Sequence, residues 1–142
     1  MKVKILREGA KMPTRGTKVS AGLDLYALIE NDLEIWPGET VKVPTGVAIA
    51  LPNNTAGLIF ARSGLAVKEG LAPANCVGVI DEDYRGEIIV ALHNHSKTSS
   101  IIKNHDRIAQ LVITPVLYEE VEEAESLSET ERGEGGFGST GR

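Results

Sequence analysis

Leu33-Glu-Ile-Trp36-Pro37-Gly38-Glu39-Thr40-Val-Lys-Val43 is the stretch that decides the fold. Two runs with apolar residues at alternate positions, Leu33–Trp36 and Thr40–Val43, flank a Pro-Gly pair. A period of two puts one row of side chains on a core and the other in water. Proline presets φ for the first turn residue and glycine supplies φ > 0 at the next, so the pair reverses the chain. The same unit recurs outward in both directions. Val3–Leu6, Leu23–Tyr26, Val47–Ala50 and Ala56–Phe60 read as strands, with Leu51-Pro52-Asn53-Asn54 as a second turn. Gly78–Ile80, Glu87–Leu92, Ile101–Ile102 and Ile108–Ile113 continue the series. Arg62–Glu69 is the best candidate for one short helix. Many short strands between turn signals predict an all-β fold, a jelly-roll-like double sheet or distorted β-barrel.

A chain of 142 residues is one domain, large enough to bury a core without disulfides or structural metal. Of its 20 acidic residues, eight lie in 119–134, which leaves 12 acids against 13 bases in residues 1–118. The reading is therefore a near-neutral body over 1–118, an acidic linker over 119–131 and a glycine-rich, flexible arm over 132–142. A near-neutral body disfavours nucleic acid as a partner and suits a small anion held by a few arginines. Cys76 is the only cysteine, expected as a small buried filler. With neither a signal peptide nor a long apolar run, the expected setting is cytoplasmic, with no membrane partner.

Chemistry gathers at four places. Gly78-Val-Ile-Asp81-Glu-Asp83-Tyr84-Arg85-Gly86 reads as a hairpin turn carrying three carboxylates. Asp81, ending an apolar strand, is the candidate to orient or deprotonate a water, and Tyr84 offers a ring beside it; Glu82 reads as a solvated tip. Ala61-Arg62-Ser63-Gly64-Leu65-Ala66 joins a guanidinium, a hydroxyl and a glycine N–H, a combination suited to phosphate, although an ordinary helix N-cap would also explain Ser63. In Ala21-Gly-Leu-Asp24-Leu-Tyr-Ala27 one carboxylate stands among apolar neighbours, either a structural hydrogen-bonding acid or an outer-sphere metal group. The end of the chain, Arg132-Gly-Glu-Gly-Gly-Phe137-Gly138-Ser139-Thr140, combines anion donors with a lone ring. It is not the GxxxxGK[ST] loop, because Ser139 replaces the lysine and no helix follows. His93 and His95 share a strand parity that permits a metal pair, but Asn94 and Ser96 suggest a wet strand end and no third ligand is evident.

In order, the segments beginning at Ala21, Ala61, Gly78, Arg107 (Arg-Ile-Ala-Gln-Leu-Val-Ile113) and Arg132 resemble the five motifs of the homotrimeric deoxyuridine triphosphatases, the dUTPase family. The resemblance implies a β jelly roll that hydrolyses dUTP to dUMP and pyrophosphate with Mg²⁺, at sites shared between subunits of a homotrimer. This keeps uracil out of DNA and supplies dUMP for dTMP synthesis. It implies that Asp81 activates the water, that Asp24 orients the hydrated Mg²⁺, and that Arg62, Ser63, Gly64 and Gln110 hold the phosphates. Asn75, with the backbone around Gly78, Val79, Ile80 and Ile89, would read uracil, and Tyr84 would pack under the deoxyribose. Arg132, Phe137, Gly138, Ser139 and Thr140 would close over the nucleotide. Ala61 replaces a common proline and His105 stands where the family often has glycine. Arg107 is expected either to contact substrate or, as the favoured reading, to support Asp24 or Asp106 by an ion pair. Two other readings remain: a dCTP deaminase of the same fold, and a nucleotide-responsive regulator without turnover.

Overall fold

The computed structural model describes residues 1–136, which hold eleven strands and one helix. The strands are β1 (Lys2–Ile5), β2 (Leu23–Tyr26), β3 (Leu33–Ile35), β4 (Thr40–Pro44), β5 (Val47–Ala50) and β6 (Thr55–Phe60). After the helix α1 (Ser63–Glu69) come β7 (Leu71–Pro73), β8 (Gly78–Ile80), β9 (Ile89–Asn94), β10 (Ser100–Ile102) and β11 (Arg107–Pro115). They form four antiparallel ladders, β1-β5, β10-β3, β2-β11-β6-β8 and β4-β9-β7. This is the jelly-roll-like all-β architecture expected from the alternation. The ladders stay separate among the described residues and do not close into a barrel.

One core joins the four ladders. Leu25, Ile35, Val43, Val47, Leu71, Leu92, Ile102, Ile108 and Leu111 are essentially inaccessible and come from eight different strands. Each such side chain contributes about 1.5–3 kcal/mol by leaving water. The Trp36–Glu39 turn forms as read: Glu39 N–H donates to Trp36 O at 2.9 Å, and Gly38 takes φ +76°. The Glu39 carboxylate also accepts Trp36 N–H at 2.9 Å, locking the turn. Helix α1 ends at Gly70, whose φ of +69° lets its N–H return to Ala66 O.

Several expectations are corrected. Leu71–Pro73 is a strand not read from the sequence, and its proline sits where β7 runs on the edge of its ladder, paired only with β9 among the described residues. Asn94 is not at a wet strand end. It shares the inward parity of Val90 and Leu92 and is wholly buried, donating through Nδ2 to Ile35 O and Thr98 O and accepting from the Ser96 N–H and hydroxyl, each at 2.8 Å. Cys76 is exposed, not a buried filler, because it occupies a turn at φ +61° between Pro73 and Val77. Segment 81–88 is not a hairpin: β8 pairs with β6, whereas β9 pairs with β4 and β7, so the segment crosses between ladders.

Candidate functional site

Two side-chain groups stand at opposite edges of the β2-β11-β6-β8 ladder. The first is a cradle at the β2 edge. Gln110 lies opposite both Asp24 and Phe60, so the three share a face, and Arg62 continues that parity two residues beyond Phe60. Arg107 and Gln110 are an odd number apart and would face opposite ways in a regular strand. A bulge between Arg107 and Ala109 adds one residue and turns both toward Asp24.

Asp24 is the hub. Its Oδ1 accepts Arg62 Nε at 2.7 Å and its Oδ2 accepts Arg107 Nη1 at 3.2 Å, with only 13% of the side chain exposed. Thr14 pins its backbone from the other side, with Asp24 N–H donating to Thr14 O at 2.7 Å. Gln110 Nε2 donates to Ala61 O at 2.9 Å and lies over Gly22, where a Cβ would come within 2.5 Å of Oε1. That approach explains the glycine before Leu23. Arg62 is the N-cap of α1 and Ser63 its first helical residue; no side chain caps the helix, so the cap explanation of Ser63 fails. A Cβ at Gly64 would meet nothing within 4 Å, so internal packing does not demand a glycine there. Arg62, Ser63, Gly64, Asp24, Arg107 and Gln110 line a cavity of about 210 Å³.

The second group stands at the β8 edge. Val79, Ile80, Asp81, Tyr84, Glu87 and Ile89 line a slot of about 180 Å³. Strand β8 pairs on one side only among the described residues, which leaves the outward-facing backbone donors and acceptors of Gly78–Ile80 on its other side. Tyr84 N–H turns back to Asp81 O at 3.1 Å, and its hydroxyl donates to Glu87 O at 3.0 Å. The ring lies over Gly86 so closely that a Cβ there would collide with it. Glu87 accepts Gly46 N–H at 2.7 Å and pairs with Arg7. Asp81 is exposed, and among the described residues its carboxylate has no ion-pair partner.

Glu82 is corrected from a solvated tip: it is half-buried and accepts Asn54 N–H at 2.8 Å. Asn75 is exposed and does not line the slot, although its Nδ2 lies 3.5 Å from where a Cβ of Gly78 would be. Arg107 pairs with Asp24, as expected. His105 adopts φ +69°, which is why glycine suits that position; its Nε2 and Gly9 O are 2.8 Å apart. The rings of His93 and His95 lie edge to face at 4.4 Å, and no cluster of three metal-ligating side chains occurs among the described residues. Arg132 is exposed and donates through Nε to Gly135 O at 2.8 Å. Phe137, Gly138, Ser139 and Thr140 lie outside the described residues. Residues 119–131 carry neither strand nor helix and are exposed throughout.

A dUTPase family model matches residues 8–141. The deoxyuridine 5'-triphosphate nucleotidohydrolase of Desulfitobacterium hafniense (strain DSM 10664 / DCB-2) is 54% identical over 132 residues, covering 92% of this chain and 87% of that one. The protein of the same name from Anaplasma marginale (strain St. Maries) is 49% identical over 145 residues, covering 99% of both. A point mutant of the Staphylococcus bacteriophage 80alpha dUTPase with dUpNHpp matches at a TM-score of 0.86 and 30% identity, covering 99% of this chain and 98% of that one. A point mutant of the dUTPase from phage phi11 of S. aureus, in which a structural Mg(II) ion is coordinated, matches at a TM-score of 0.81 and 27% identity, covering 90% and 98%. With the motifs beginning at Ala21, Ala61, Gly78 and Arg107 falling on the cradle and the slot, this chain belongs to the dUTPase family.

Proposed function

We propose that this chain hydrolyses dUTP to dUMP and pyrophosphate, a dUTP diphosphatase reaction that keeps uracil out of DNA. The observation that carries this reading is the slot at β8, which opens onto the exposed carboxylate of Asp81, without an ion-pair partner among the described residues. A base seated against a free strand edge is read by backbone groups in a fixed order. Uracil offers acceptor, donor, acceptor, and cytosine reverses part of that order and leaves buried groups unpaired. Asn75 stands beside this edge and would complete the reading. The Tyr84 ring, held by its hydroxyl and by Gly86, would take the deoxyribose face and crowd out a 2′-hydroxyl.

The cradle suits the triphosphate. Arg62 spends only Nε on Asp24 among the described residues, leaving its two Nη groups as a fork; Ser63 and Gly64 flank it. Gln110 keeps one amide hydrogen beyond its bond to Ala61. Asp24 is the sole carboxylate lining the cavity among the described residues. This donor set fits Mg²⁺ held through water and phosphate oxygens and does not fit a dedicated cage. Asp24 would orient the hydrated ion, which when bound neutralises charge on the phosphate oxygens. Asp81 then takes the proton from a water aligned with the α-phosphorus, and Arg62 stabilises the developing negative charge. Arg132, Ser139 and Thr140 would add donors from the arm, with Phe137 over the base.

The active particle is a homotrimer in this reading, with each site shared. Register places Asp81 opposite Ala56, four residues along β6 from Phe60 and three strand spacings from Asp24. The two carboxylates of one chain are therefore separated by on the order of 20 Å. One phosphorus and one water do not span that gap, which supports a site in which the slot of one copy meets the cradle of another. Product analysis with dUTP, dCTP, dTTP and UTP plus Mg²⁺ tests the assignment: pyrophosphate from dUTP alone is expected. Ammonia from dCTP would indicate the deaminase, and binding without product a regulator.

A further inference from the structure

The segment that carries Asp81 is tied down at both ends by carboxylates that take no part in the proposed chemistry. At its far end Glu87 accepts Gly46 N–H and pairs with Arg7. At its near end Glu82, the residue after Asp81, uses a single oxygen, Oε2, to accept Asn54 N–H at 2.8 Å and the Tyr118 hydroxyl at 3.2 Å. Its own carbonyl accepts Arg85 Nη1 at 2.6 Å. Asn54 is itself fixed: it takes φ +57° in the turn before β6, and its carbonyl accepts Val116 N–H at 2.9 Å just after β11. Partial desolvation, then the Glu82 carboxylate, raise the pKa of the Tyr118 hydroxyl, as expected for a phenol kept as a donor to an anion. Ala56, Val79, Val116 and Tyr118 with the acidic segment enclose a cavity of about 520 Å³ on this side of β8.

We propose that Glu82 is a positioning residue, which holds the Asp81 carboxylate in line for the water by clamping its segment to the Asn54 turn and to Tyr118 at the root of the C-terminal arm. The proposal rests on Asp81 as the water-activating group. Without the clamp, the residue beside Asp81 loses its only side-chain link to the rest of the fold among the described residues. The base slot is held separately, by β8 pairing with β6 and by Tyr84 on Glu87 O. The loss should therefore fall on the chemical step and spare nucleotide binding.

Glu82→Met and Glu82→Gln have side chains of like length and differ in having an acceptor. Full-length E82M is expected to keep its KM for dUTP and its affinity for a non-hydrolysable imido analogue within about twofold, while kcat falls about tenfold, the scale of a small misplacement of a reacting group. E82Q, whose amide oxygen still accepts Asn54 N–H, should recover to within about threefold of wild type. Tyr118→Phe should lower kcat about twofold, and the E82M/Y118F double variant should show no further loss than E82M, because both act through one oxygen. Tyr118 is 62% exposed, so its variant tests the clamp even if E82M melts early. Equal kcat for E82M, E82Q and wild type would overturn the positioning role alone, as would a rise in KM at constant kcat. A wild-type chain that releases no pyrophosphate from dUTP would instead overturn the reaction, and this proposal with it.

Discussion

The two edges of the four-stranded ladder handle negative charge in opposite ways. At β2, Asp24 is largely enclosed, both of its oxygens are engaged by guanidinium groups, and its backbone is bonded on both sides. At β8, Asp81 is exposed and its carboxylate has no ion-pair partner among the described residues, although Glu82 and Asp83 follow it directly. The difference matches the two roles proposed for these acids. An acid that orients a hydrated cation and two arginines needs a fixed, matched environment before substrate arrives. A group that accepts a proton needs a free lone pair, and an arginine on it would remove that capacity. Asp24 is built in, and Asp81 is held out.

The largest expected effect breaks the β8 side. Asp81→Asn keeps shape and loses the base, so turnover should fall ~10²–10⁴-fold while nucleotide binding stays within about tenfold. Single-turnover kinetics beside analogue binding would show it; a near wild-type rate moves water activation to another group. On the β2 side, Arg62→Ala removes a phosphate fork and leaves Asp24 with Arg107 alone, so kcat/KM should fall about 10²-fold. Mixing these two inactive variants sharpens the comparison most. If each site takes its slot from one copy and its cradle from another, randomly reassembled trimers should regain about a quarter of wild-type activity, and no recovery would mean that each chain works alone. Sedimentation should meanwhile show three copies of the 15.2 kDa chain.

Smaller effects come from outside both edges. Phe137→Ala should lower kcat/KM about tenfold, the scale of one lost base–aromatic stack, without changing the oligomeric state measured by sedimentation. Unchanged kinetics would make the arm a bystander. Asn94→Leu should lower unfolding free energy by about 3 kcal/mol, since Ile35 O, Thr98 O and the Ser96 donors lose their partner. Its kcat per folded site should match wild type, because Asn94 touches neither edge. Chemical denaturation together with steady-state rates would separate the two quantities.

Alternation and turn chemistry carried the architecture in the chain itself. The Trp36–Glu39 reversal, the buried rows of β4 and β9, and the single helix follow from local preference and period, which act over a few residues. The same holds for which residues bear chemistry, because Asp81, Arg62 and Gln110 stand in motifs spaced by strands and turns. Partnership was not legible. Whether Gly78–Ile80 turns back on Ile89 or crosses to another ladder depends on pairing between distant strands, and local signals for a hairpin and a crossing are alike. Asn94 looked like a wet end because its type is polar; the parity that buries it counts only once β9 is known to continue to that residue. The bulge that aims Arg107 at Asp24 is likewise invisible until β2 fixes the register of β11. Sequence by itself determined the family and most of the strands and picked out the candidate reactive groups, since these signals are local. Only the tertiary structure decided which carboxylate is paired and which has no ion-pair partner among the described residues, and that the two stand at opposite edges of one ladder, because distance between strand edges is a property of pairing order and register.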